Sequence, residues 1–381
     1  MYNEQIERAV EAFRTLLNEQ LTRAGEMENA PPAVDYKALD KIRVGLIDGD
    51  GIGPIIMREA KRVLATVLAD EIARGRVELV DIEGLTIENR EAKGKAIPDD
   101  VLAAIRSCDV LLKGPTTTPK GGKMESANVA MRRELDLYAN VRPVAVPAEG
   151  IDWTFFRENT EGEYVLGSRG VEIAGKLAMD FKVTTDAGTR RIARAAFEYA
   201  KNNGKTNVAI VTKANIMKKT DGNFSAICHE IAADYPDITA EDWYIDIMTA
   251  NLVNEKIRSR FQVFLLPNLY GDIITDEAAQ IQGGVGTAGS ANIGDRYAMF
   301  EAIHGSAPRM IEEGIGEYAN PESILRAAVM LLSHIGLQAA ADRLKVALDV
   351  CSETERRVVV TGDRDGATCA AYADYVMEKL V

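Results

Sequence analysis

Two aspartates four positions apart are candidates for holding a metal ion. Asp272 and Asp276 follow the segment Asn268-Leu-Tyr-Gly, and on a helix this spacing places both carboxylates on one face. Facing carboxylates repel each other unless a cation or a proton lies between them, and hard oxygen ligands suit Mg²⁺ or Mn²⁺. The alternative is that both simply favour the start of a helix through its dipole. Asp246 is a third candidate ligand.

Three arginines form a second candidate group. Arg132 and Arg142 lie ten positions apart, and Arg157 follows downstream. Arginine presents a planar fork that matches a carboxylate with two hydrogen bonds. Three converging arginines would therefore suit a substrate with several carboxylates. Each of them alone is more typical of a solvated surface position.

Tyr164 and Lys213 are candidates for proton transfer. Each follows a predicted strand, and functional residues in open α/β sheets gather at the carboxyl ends of strands. A desolvated lysine beside other cations can have a lowered pKa. From position alone, both residues are also compatible with an ordinary surface role.

Two glycine-containing segments could approach a ligand closely. Gly49-x-Gly51-x-Gly53 follows a predicted strand, but its spacing is not that of a dinucleotide fingerprint, so a tight strand–helix turn is the simpler interpretation. His304 precedes Gly305-Ser306-Ala307-Pro308, where small residues would let a ligand reach the backbone. A lone histidine is otherwise usually structural.

Composition limits the class of protein. The chain has 381 residues, which predicts about two domains, and 46% hydrophobic with 27% charged residues is a globular mixture. The net charge of −13 disfavours binding to nucleic acid or to an anionic membrane. Four widely spaced cysteines and the absence of a C-x-x-C pair favour a reducing compartment. With no long apolar run and acidic residues near the start, we expect a cytoplasmic protein.

The elements that must position these residues alternate between strands and helices. An apolar stripe predicts a first helix over 3–27, either packed on its own subunit or forming a dimer seam. Alternation of β and α patterns predicts an α/β protein with a largely parallel sheet. Glycine-punctuated β-like runs in 162–185, around Gly162, Gly167, Gly170 and Gly175, predict a projecting hairpin. Predicted strands cover 42–47, 77–82, 109–112, 153–156, 208–212 and 263–266; predicted helices cover 54–73, 98–107, 126–137, 189–203, 215–233 and 323–335, with a mostly helical tail over 337–381.

Six segments in order resemble the isocitrate/isopropylmalate dehydrogenases, the metal-dependent β-decarboxylating dehydrogenases of 2-hydroxy acids. The segments are Asp48-Gly-Asp-Gly-Ile-Gly-Pro54, Leu135-Asp-Leu-Tyr-Ala-Asn-Val-Arg-Pro143, Arg157-Glu-Asn-Thr-Glu-Gly-Glu-Tyr164, Lys213-Ala-Asn-Ile-Met217, Asn268-Leu-Tyr-Gly-Asp272 and His304-Gly-Ser-Ala-Pro308. The resemblance runs from about Lys41 to Gly336 and more weakly to the end, and leaves the first forty residues outside.

The resemblance implies a non-Rossmann α/β fold with a large domain, a small domain and a clasp, in a homodimer whose active sites are shared between chains. The implied division is a helical extension over 1–40, a large cofactor-side domain over 41–137 and 283–381, a small domain over 138–161 and 186–282, and a clasp over 162–185.

Roles follow from the matching motifs. The resemblance implies that Tyr164 and the partner chain's Lys213 are the acid/base pair, and that the metal is held by Asp272, Asp276 and the partner chain's Asp246. It implies substrate contacts from Ser126, Asn128, Arg132, Arg142, Arg157 and Asn215. It implies cofactor contacts from Glu301, His304, Gly305, Ser306, Ala307, Arg309 and Asn320.

Substrate and cofactor follow from fewer residues. The resemblance implies oxidative decarboxylation of isocitrate, a tricarboxylate, because Ser126 and Asn128 are polar where isopropylmalate enzymes have an apolar pocket. Homoisocitrate, 3-isopropylmalate and tartrate dehydrogenases remain alternatives, as does a non-catalytic regulatory subunit. Glu125, in the run Lys123-Met124-Glu125, lies at a position where isopropylmalate enzymes also have a glutamate. Arg309-Met310, with Glu312 and Glu313 nearby, favours NAD over NADP, although Arg309 could pair with a 2′-phosphate. The metal is expected to be Mg²⁺ or Mn²⁺.

Overall fold

The computed structural model describes residues 2–29, 31–118, 124–166, 169–173, 175–284 and 288–380. Within them the strands are β1 (Ile42–Ile47), β2 (Val77–Asp81), β3 (Val110–Lys113), β4 (Ala139–Val146), β5 (Ile151–Glu158), β6 (Val171–Ile173), β7 (Leu177–Met179), β8 (Asn207–Thr212), β9 (Thr239–Tyr244), β10 (Val263–Leu266), β11 (Gly289–Ile293) and β12 (Ala298–Ala302).

The same residues form α-helices that mostly alternate with the strands. They are α1 (Asn3–Glu28), α2 (Gly53–Val67), α3 (Ala69–Ala73), α4 (Ile87–Lys93), α5 (Asp99–Arg106), α6 (Ala127–Glu134), α7 (Asp186–Asn202), α8 (Thr220–Ala232), α9 (Ile245–Leu252), α10 (Asn268–Gln282), α11 (Pro308–Glu312), α12 (Glu322–His334), α13 (Gln338–Asp349) and α14 (Cys369–Glu378). The alternation confirms the predicted α/β class.

The chain divides into two units, each with a run of five adjacent strands. The first unit comprises Met1–Pro32 and Tyr138–Ala278, and the second comprises Ala33–Leu137 and Ala279–Val381. The strand order in the first unit is β4-β5-β10-β8-β9, and only β4 and β5 are antiparallel there. The order in the second unit is β2-β1-β3-β12-β11, with β11 and β12 antiparallel.

Aromatic packing on β5 and β10 builds the core of the first unit. The rings of Phe155 and Phe264 stack with centroids 4.3 Å apart, and Trp153 packs edge-on against both. All three side chains are fully buried. This burial fixes the register of the two parallel strands, because a slip of one residue would turn these rings to the opposite face.

The first unit places three candidate segments at one sheet edge. Strand β5 ends at Glu158 before Tyr164, β8 ends at Thr212 before Lys213, and β10 ends at Leu266 before α10, which carries Asp272. The three strands are parallel neighbours, so their carboxyl ends lie on the same side of the sheet. This is the edge at which ligands bind in open α/β sheets.

The predicted hairpin within 162–185 is confirmed in the described part of that segment. Strands β6 and β7 pair antiparallel, with Val171 opposite Met179. Gly162 also bridges Val183, which closes the base of the excursion. Gly167 lies outside the described residues, and so does Lys123 of the earlier segment.

Several predicted boundaries were wrong. The helix predicted over 54–73 is two helices, since it ends at Val67 and restarts at Ala69. The helix predicted over 215–233 starts only at Thr220, because Ile216 and Met217 both donate to the Lys213 carbonyl in a turn. The tail is less helical than predicted, since no α-helix covers 355–368. Strands β4, β9, β11 and β12 were not predicted at all.

Candidate active site

Arg157 is the centre of a buried polar group at the carboxyl end of β5. Its Nε and Nη2 donate to Oδ1 of Asn268 at 3.0 and 2.6 Å, and its Nη1 donates to Oδ1 of Asp272. The side chain is only 1% exposed. Gly271 makes this approach possible, since a Cβ there would lie 2.5 Å from Cγ of Arg157. Arg157 is thus held in one orientation by two residues of α10.

Tyr164 joins the same group. Its hydroxyl donates to Oδ2 of Asp272 at 2.7 Å, so Tyr164 and Arg157 donate to different oxygens of one carboxylate. The Arg157 guanidinium also lies 5.5 Å from the centre of the Tyr164 ring. The structure therefore brings together one predicted acid/base residue, one predicted substrate arginine and one predicted metal ligand.

Arg142 meets α10 one turn further along. Its Nη1 donates to Oγ1 of Thr275 at 2.6 Å and to Oδ1 of Asp276 at 3.1 Å. The Arg142 side chain is 10% exposed, whereas that of Asp276 is 68% exposed. Asp272 and Asp276 thus each have an arginine partner, with their carboxylates one helical turn apart as predicted.

The donor set at this turn of α10 fits a hard divalent cation, although one chain supplies only part of it. Carboxylate oxygens at Asp272 and Asp276 are the ligand type that Mg²⁺ and Mn²⁺ prefer. Among the described residues, no three His, Cys, Asp or Glu side chains are close enough together to hold a metal ion. Further ligands would have to come from substrate, water or a second chain.

Lys213 and Asp246 form an ion pair of their own. Lys213 Nζ lies 2.7 Å from Oδ1 of Asp246, and this hydrogen bond lowers the pKa of the Asp246 carboxyl. The backbone N–H of Lys213 donates to the buried carboxylate of Asp221 at 2.7 Å, which fixes the chain just after β8. Asn215 is exposed in the turn that follows. Two residues predicted to act in the partner's site are thus adjacent in one chain.

The candidate substrate residues of the second unit lie around the start of α6. Ser126 is half-buried at the helix N-cap, and Asn128 Oδ1 accepts from Thr116 Oγ1 at 3.1 Å. Arg90 is buried and donates to the carbonyls of Thr117 and Glu125 at 2.7 and 3.2 Å. Arg90 therefore holds the backbone at Thr117 and at Glu125.

The Glu125 carboxylate is paired with Arg133 of α6. Its two carboxylate oxygens accept from Nη1 and Nη2 of Arg133 at 2.6 and 2.9 Å. This paired, two-bond contact is the strong form of the arginine–carboxylate interaction.

Glu301 lies inside the second unit's sheet. Its Oε2 is 3.0 Å from Lys113 Nζ, its Oε1 accepts from Asn292 at 2.8 Å, and Arg132 Nη2 lies 3.7 Å away. Burial alone would raise the pKa of Glu301, but the charges of Lys113 and Arg132 lower it to about 2. Glu301 thereby links Arg132 to the sheet.

The loop after β12 packs against the glycine-rich turn after β1. Ser306 accepts the Ile52 N–H through its carbonyl at 3.0 Å, and its hydroxyl lies 2.8 Å from that of Thr117. Gly51 has φ +59°, and a Cβ there would lie 2.0 Å from the Ser306 carbonyl oxygen. Asp50 accepts the Ile87 and Thr117 N–H groups at 2.7 Å each. The glycine-rich turn therefore supports the His304 loop.

The remaining cofactor candidates surround this loop. His304 Nδ1 lies 3.0 Å from the Gly305 carbonyl, and burial lowers the pKa of the imidazole. Ala307 is left-handed, with φ 43°. Asn320 accepts the Glu322 N–H at the start of α12 at 2.9 Å. Arg309 is 84% exposed, and its Nε donates to Glu313 at 2.5 Å.

Four residues that shape the site were not predicted as such. Asn268 orients Arg157, Asp221 fixes Lys213, Arg90 holds the loop before α6, and Lys113 pairs with Glu301. Lys113 could have been found from the sequence, because it is a charged residue directly after the apolar run of β3. Arg90 and Asn268 are separated from their partners by 27 to 111 positions, whereas Asp221 lies eight positions after Lys213.

Comparison with known proteins decides the family. A family model described as "Isocitrate/isopropylmalate dehydrogenase" matches residues 43–376. The chain belongs to this family. The family fold is therefore confirmed, together with the resemblance that the six motifs carried.

Relatives and solved structures with isocitrate dehydrogenase names match most of the chain. A Caenorhabditis elegans protein named probable isocitrate dehydrogenase (NAD) subunit alpha, mitochondrial, is 37% identical over 358 residues, which is 91% of this chain and 95% of that protein. The isocitrate dehydrogenase (NADP) of Rickettsia prowazekii is 41% identical over 297 residues, 76% of this chain and 58% of that protein. The crystal structure of isocitrate dehydrogenase from Methylococcus capsulatus has a TM-score of 0.78 at 35% identity, covering 89% of this chain and 99% of that one.

Two further observations concern membrane-spanning helices and disulfide bonds. Among the described helices, none is long and apolar enough to cross a membrane. All four cysteines are buried free thiols.

Proposed function

We propose that this protein catalyses the oxidative decarboxylation of isocitrate to 2-oxoglutarate with reduction of a nicotinamide cofactor. The observation that carries this proposal is the group formed by Arg157, Tyr164 and Asp272 at the carboxyl edge of the sheet. A carboxylate-binding cation, a phenol and a metal-type carboxylate in mutual contact suit a hydroxy acid that must lose a hydride, a proton and CO₂. The names of the relatives support isocitrate as that acid.

In this reaction the chain's own residues bind carboxylates and move protons. Arg142 and Arg157 neutralise substrate carboxylates, Lys213 takes part in removal of the C2 hydroxyl proton, and Tyr164 protonates C3 after CO₂ has left. The hydride passes from C2 to the nicotinamide, so the two electrons lost by the substrate are accounted for. Positive charge at Lys213 also stabilises the enolate that decarboxylation forms.

A divalent cation would be held by Asp272, Asp276 and the partner chain's Asp246, and when bound it polarises the C2 oxygen and neutralises developing charge. A nicotinamide cofactor, which accepts the hydride, would be held by the His304–Ala307 loop with Asn320. Ser126 and Asn128 would contact the γ-carboxylate of isocitrate. A substrate with an isopropyl group there would leave their polar groups without partners, which is costly when they are buried.

Homoisocitrate, 3-isopropylmalate and tartrate are the competing substrates. The glutamate shared with isopropylmalate enzymes is Glu125, and the ion pair with Arg133 occupies its carboxylate. The Glu125 carboxylate thus has a partner within its own chain, and this contact supports isocitrate over 3-isopropylmalate.

For the cofactor we propose NAD. Arg309 is the cation that could select a 2′-phosphate, and it already pairs with Glu313 one turn along α11. A phosphate would have to displace this contact. The relatives carry both NAD and NADP in their names, so the ratio of the two activities is the deciding quantity.

We further propose the large-domain, small-domain and clasp division given above, a homodimer and a cytoplasmic location. The Lys213–Asp246 pair supports the dimer, because two residues assigned to the partner's site can be presented together. The four buried cysteines form no disulfide bond, which supports a reducing compartment such as the cytoplasm. The function itself is tested by incubating purified protein with isocitrate, Mn²⁺ and NAD⁺: 2-oxoglutarate and reduced nicotinamide should form in equal amounts, and no 2-oxoglutarate would contradict the proposal.

A further inference from the structure

Helix α1 lies before the part of the chain that the family model matches, yet it contacts the first unit. The model match begins at residue 43, whereas α1 spans Asn3–Glu28. The helix packs against α7 and β6. Phe13 contacts Phe181 with ring centroids 5.3 Å apart, and Leu16 is buried. This apolar contact fixes the helix beside the β6–β7 hairpin, which follows Tyr164 in the chain.

Near its carboxyl end, α1 contributes one cation to a buried acidic turn. Nη1 of Arg23 lies 3.1 Å from Oε1 of Glu161, and Nη2 donates to Oγ1 of Thr160 at 2.9 Å. The Arg23 side chain is 21% exposed and that of Glu161 is 2% exposed. Glu161 has a second negative charge nearby at Glu158, so the cation offsets repulsion where water is excluded.

Glu161 fixes the turn through both its side chain and its backbone. Its Oε2 accepts the N–H of Thr185 at 2.8 Å, and its own N–H donates to Glu158 at 2.6 Å. Its carbonyl accepts from Nδ2 of Asn268 at 2.9 Å. A tilt of this turn would therefore move Asn268.

Asn268 passes the constraint to the active-site group. The amide whose nitrogen donates to Glu161 accepts both Nε and Nη2 of Arg157 on its oxygen. Arg157 in turn donates to Asp272. A continuous series of hydrogen bonds thus runs from Arg23 through Glu161 and Asn268 to Arg157, entirely within the first unit.

We propose that Arg23 is a positioning residue for the active site, acting through Glu161 and Asn268 on the orientation of Arg157. This role goes to a residue of the amino-terminal extension and depends on the proposed role of Arg157 as a substrate-carboxylate ligand. Arg191 also donates to Thr160 Oγ1, at 3.2 Å, and Arg23 contacts both Thr160 and the Glu161 carboxylate. At pH 8, where Glu161 is ionised, removing Arg23 leaves a buried carboxylate beside Glu158 without that partner, and the turn shifts to rehydrate it.

The test compares steady-state kinetics of Arg23→Met, Arg23→Lys and a matched control, Arg14→Met. Arg14 lies on the same helix in an exposed pair with Glu11. We expect Arg23→Met to raise KM for the substrate about tenfold, equivalent to ~1.4 kcal/mol of binding, with a smaller effect on kcat. Arg23→Lys should recover part of the loss, and Arg14→Met should match the wild type.

Substrate and temperature are chosen so that the outcomes stay separate. The assay uses whichever 2-hydroxy acid the wild type oxidises fastest. If the proposed substrate is wrong, a different acid is used, and the ratio of KM between variant and wild type remains the test. All variants are assayed well below their melting temperatures. A folded Arg23→Met enzyme with unchanged KM would overturn the proposal.

A second background covers the case in which Arg23→Met fails to fold. Glu161→Gln keeps hydrogen-bonding groups but removes the buried charge, so Arg23 has little to neutralise there. Arg23→Met added to Glu161→Gln should cause no further rise in KM. An equal rise in both backgrounds would show that Arg23 does not act through Glu161.

Discussion

Asp272 is the residue on which the candidate catalytic group converges. Its two oxygens accept from Arg157 and Tyr164, and its side chain is 40% exposed. A carboxylate in this position can hold a cation and orient Arg157 and Tyr164 at once. Its charge, more than its shape, is the property that both tasks require.

The first prediction concerns that charge. Asp272→Asn keeps the size of the side chain but removes one negative charge, so the Mn²⁺ concentration for half-maximal activity should rise about tenfold, ~1.4 kcal/mol. A titration of activity with Mn²⁺ measures it, with Asp374→Asn as a control because Asp374 is an exposed partner of Arg62. Full activity of the wild type in excess EDTA would show that these aspartates are structural.

The second prediction separates the two proton-transfer residues. Lys213→Met should suppress both oxidation and decarboxylation, because the hydroxyl proton and the enolate both depend on Lys213. Tyr164→Phe should mainly slow protonation at C3, so reduction of added oxalosuccinate should be better preserved. Partial reactions of the two purified variants measure the difference. Equal losses in every partial reaction would contradict this assignment.

At the residue scale, motif residues could be predicted from the sequence but most of their partners could not. Asp272 and Asp276 are four apart, so a helix alone predicts that they share a face. Arg157 and Asn268 are 111 positions apart, and only the parallel pairing of β5 with β10 brings them together. Local spacing carries no information about such a pair.

At the element scale, the buried turn between β5 and α7 should make stability depend on pH. Burial, followed by the nearby charge of Glu158, raises the pKa of Glu161 from 4.5 to about 7, whereas Arg23 lowers it. The folded state then binds a proton more tightly than the unfolded state, so the contribution of Glu161 to stability falls as pH rises from about 4.5 through about 7.

The third prediction follows from that sign. Arg23→Met should lower the melting temperature more at pH 8, where Glu161 is ionised, than at pH 5.5, where it is protonated with or without Arg23. Calorimetry at both pH values measures the two differences, with Arg14→Met giving the pH dependence of an exposed pair. The same decrease at both pH values would mean that Arg23 does not stabilise an ionised Glu161.

Elements with strong periodicity were predicted well, and those without it were not. β1 and β10 were predicted at their observed bounds, because β10 is a continuous apolar run and β1 is interrupted by only one charged residue, Arg43. β9 (Thr239–Tyr244) alternates weakly and is mostly exposed or half-buried, so its hydrophobic signal is low. The helix predicted over 126–137 ends at Glu134, because the chain turns at Asp136, with φ 48°, to enter β4.

At the scale of the whole molecule, the second unit draws its strands from distant parts of the chain. The second unit combines residues before 138 with residues after 278, so its sheet places β12 beside β3. The sequence predicted a discontinuous organisation only through the family resemblance. Length and periodicity alone predicted the number of domains, but not which residues belong to each domain.

The fourth prediction tests the homodimer with shared sites. Lys213→Met and Tyr164→Phe are each expected to be inactive as pure dimers, but a mixed dimer has one site with both native residues. Equal mixing with full exchange should therefore restore about a quarter of wild-type activity. Activity after mixing and re-equilibration measures it, and a mixture that stays inactive although mixed dimers are detected would place both residues in the same chain's site.

The most direct measurement of the central claim is kcat/KM for isocitrate, homoisocitrate, 3-isopropylmalate and tartrate with Mn²⁺, each with NAD⁺ and with NADP⁺. Ser126 and Asn128 predict the highest value for isocitrate, and the Arg309–Glu313 pair predicts that NAD⁺ is preferred. A higher value for any other acid would contradict the proposed reaction. A preference of about tenfold for NADP⁺, ~1.4 kcal/mol, would contradict the cofactor assignment alone.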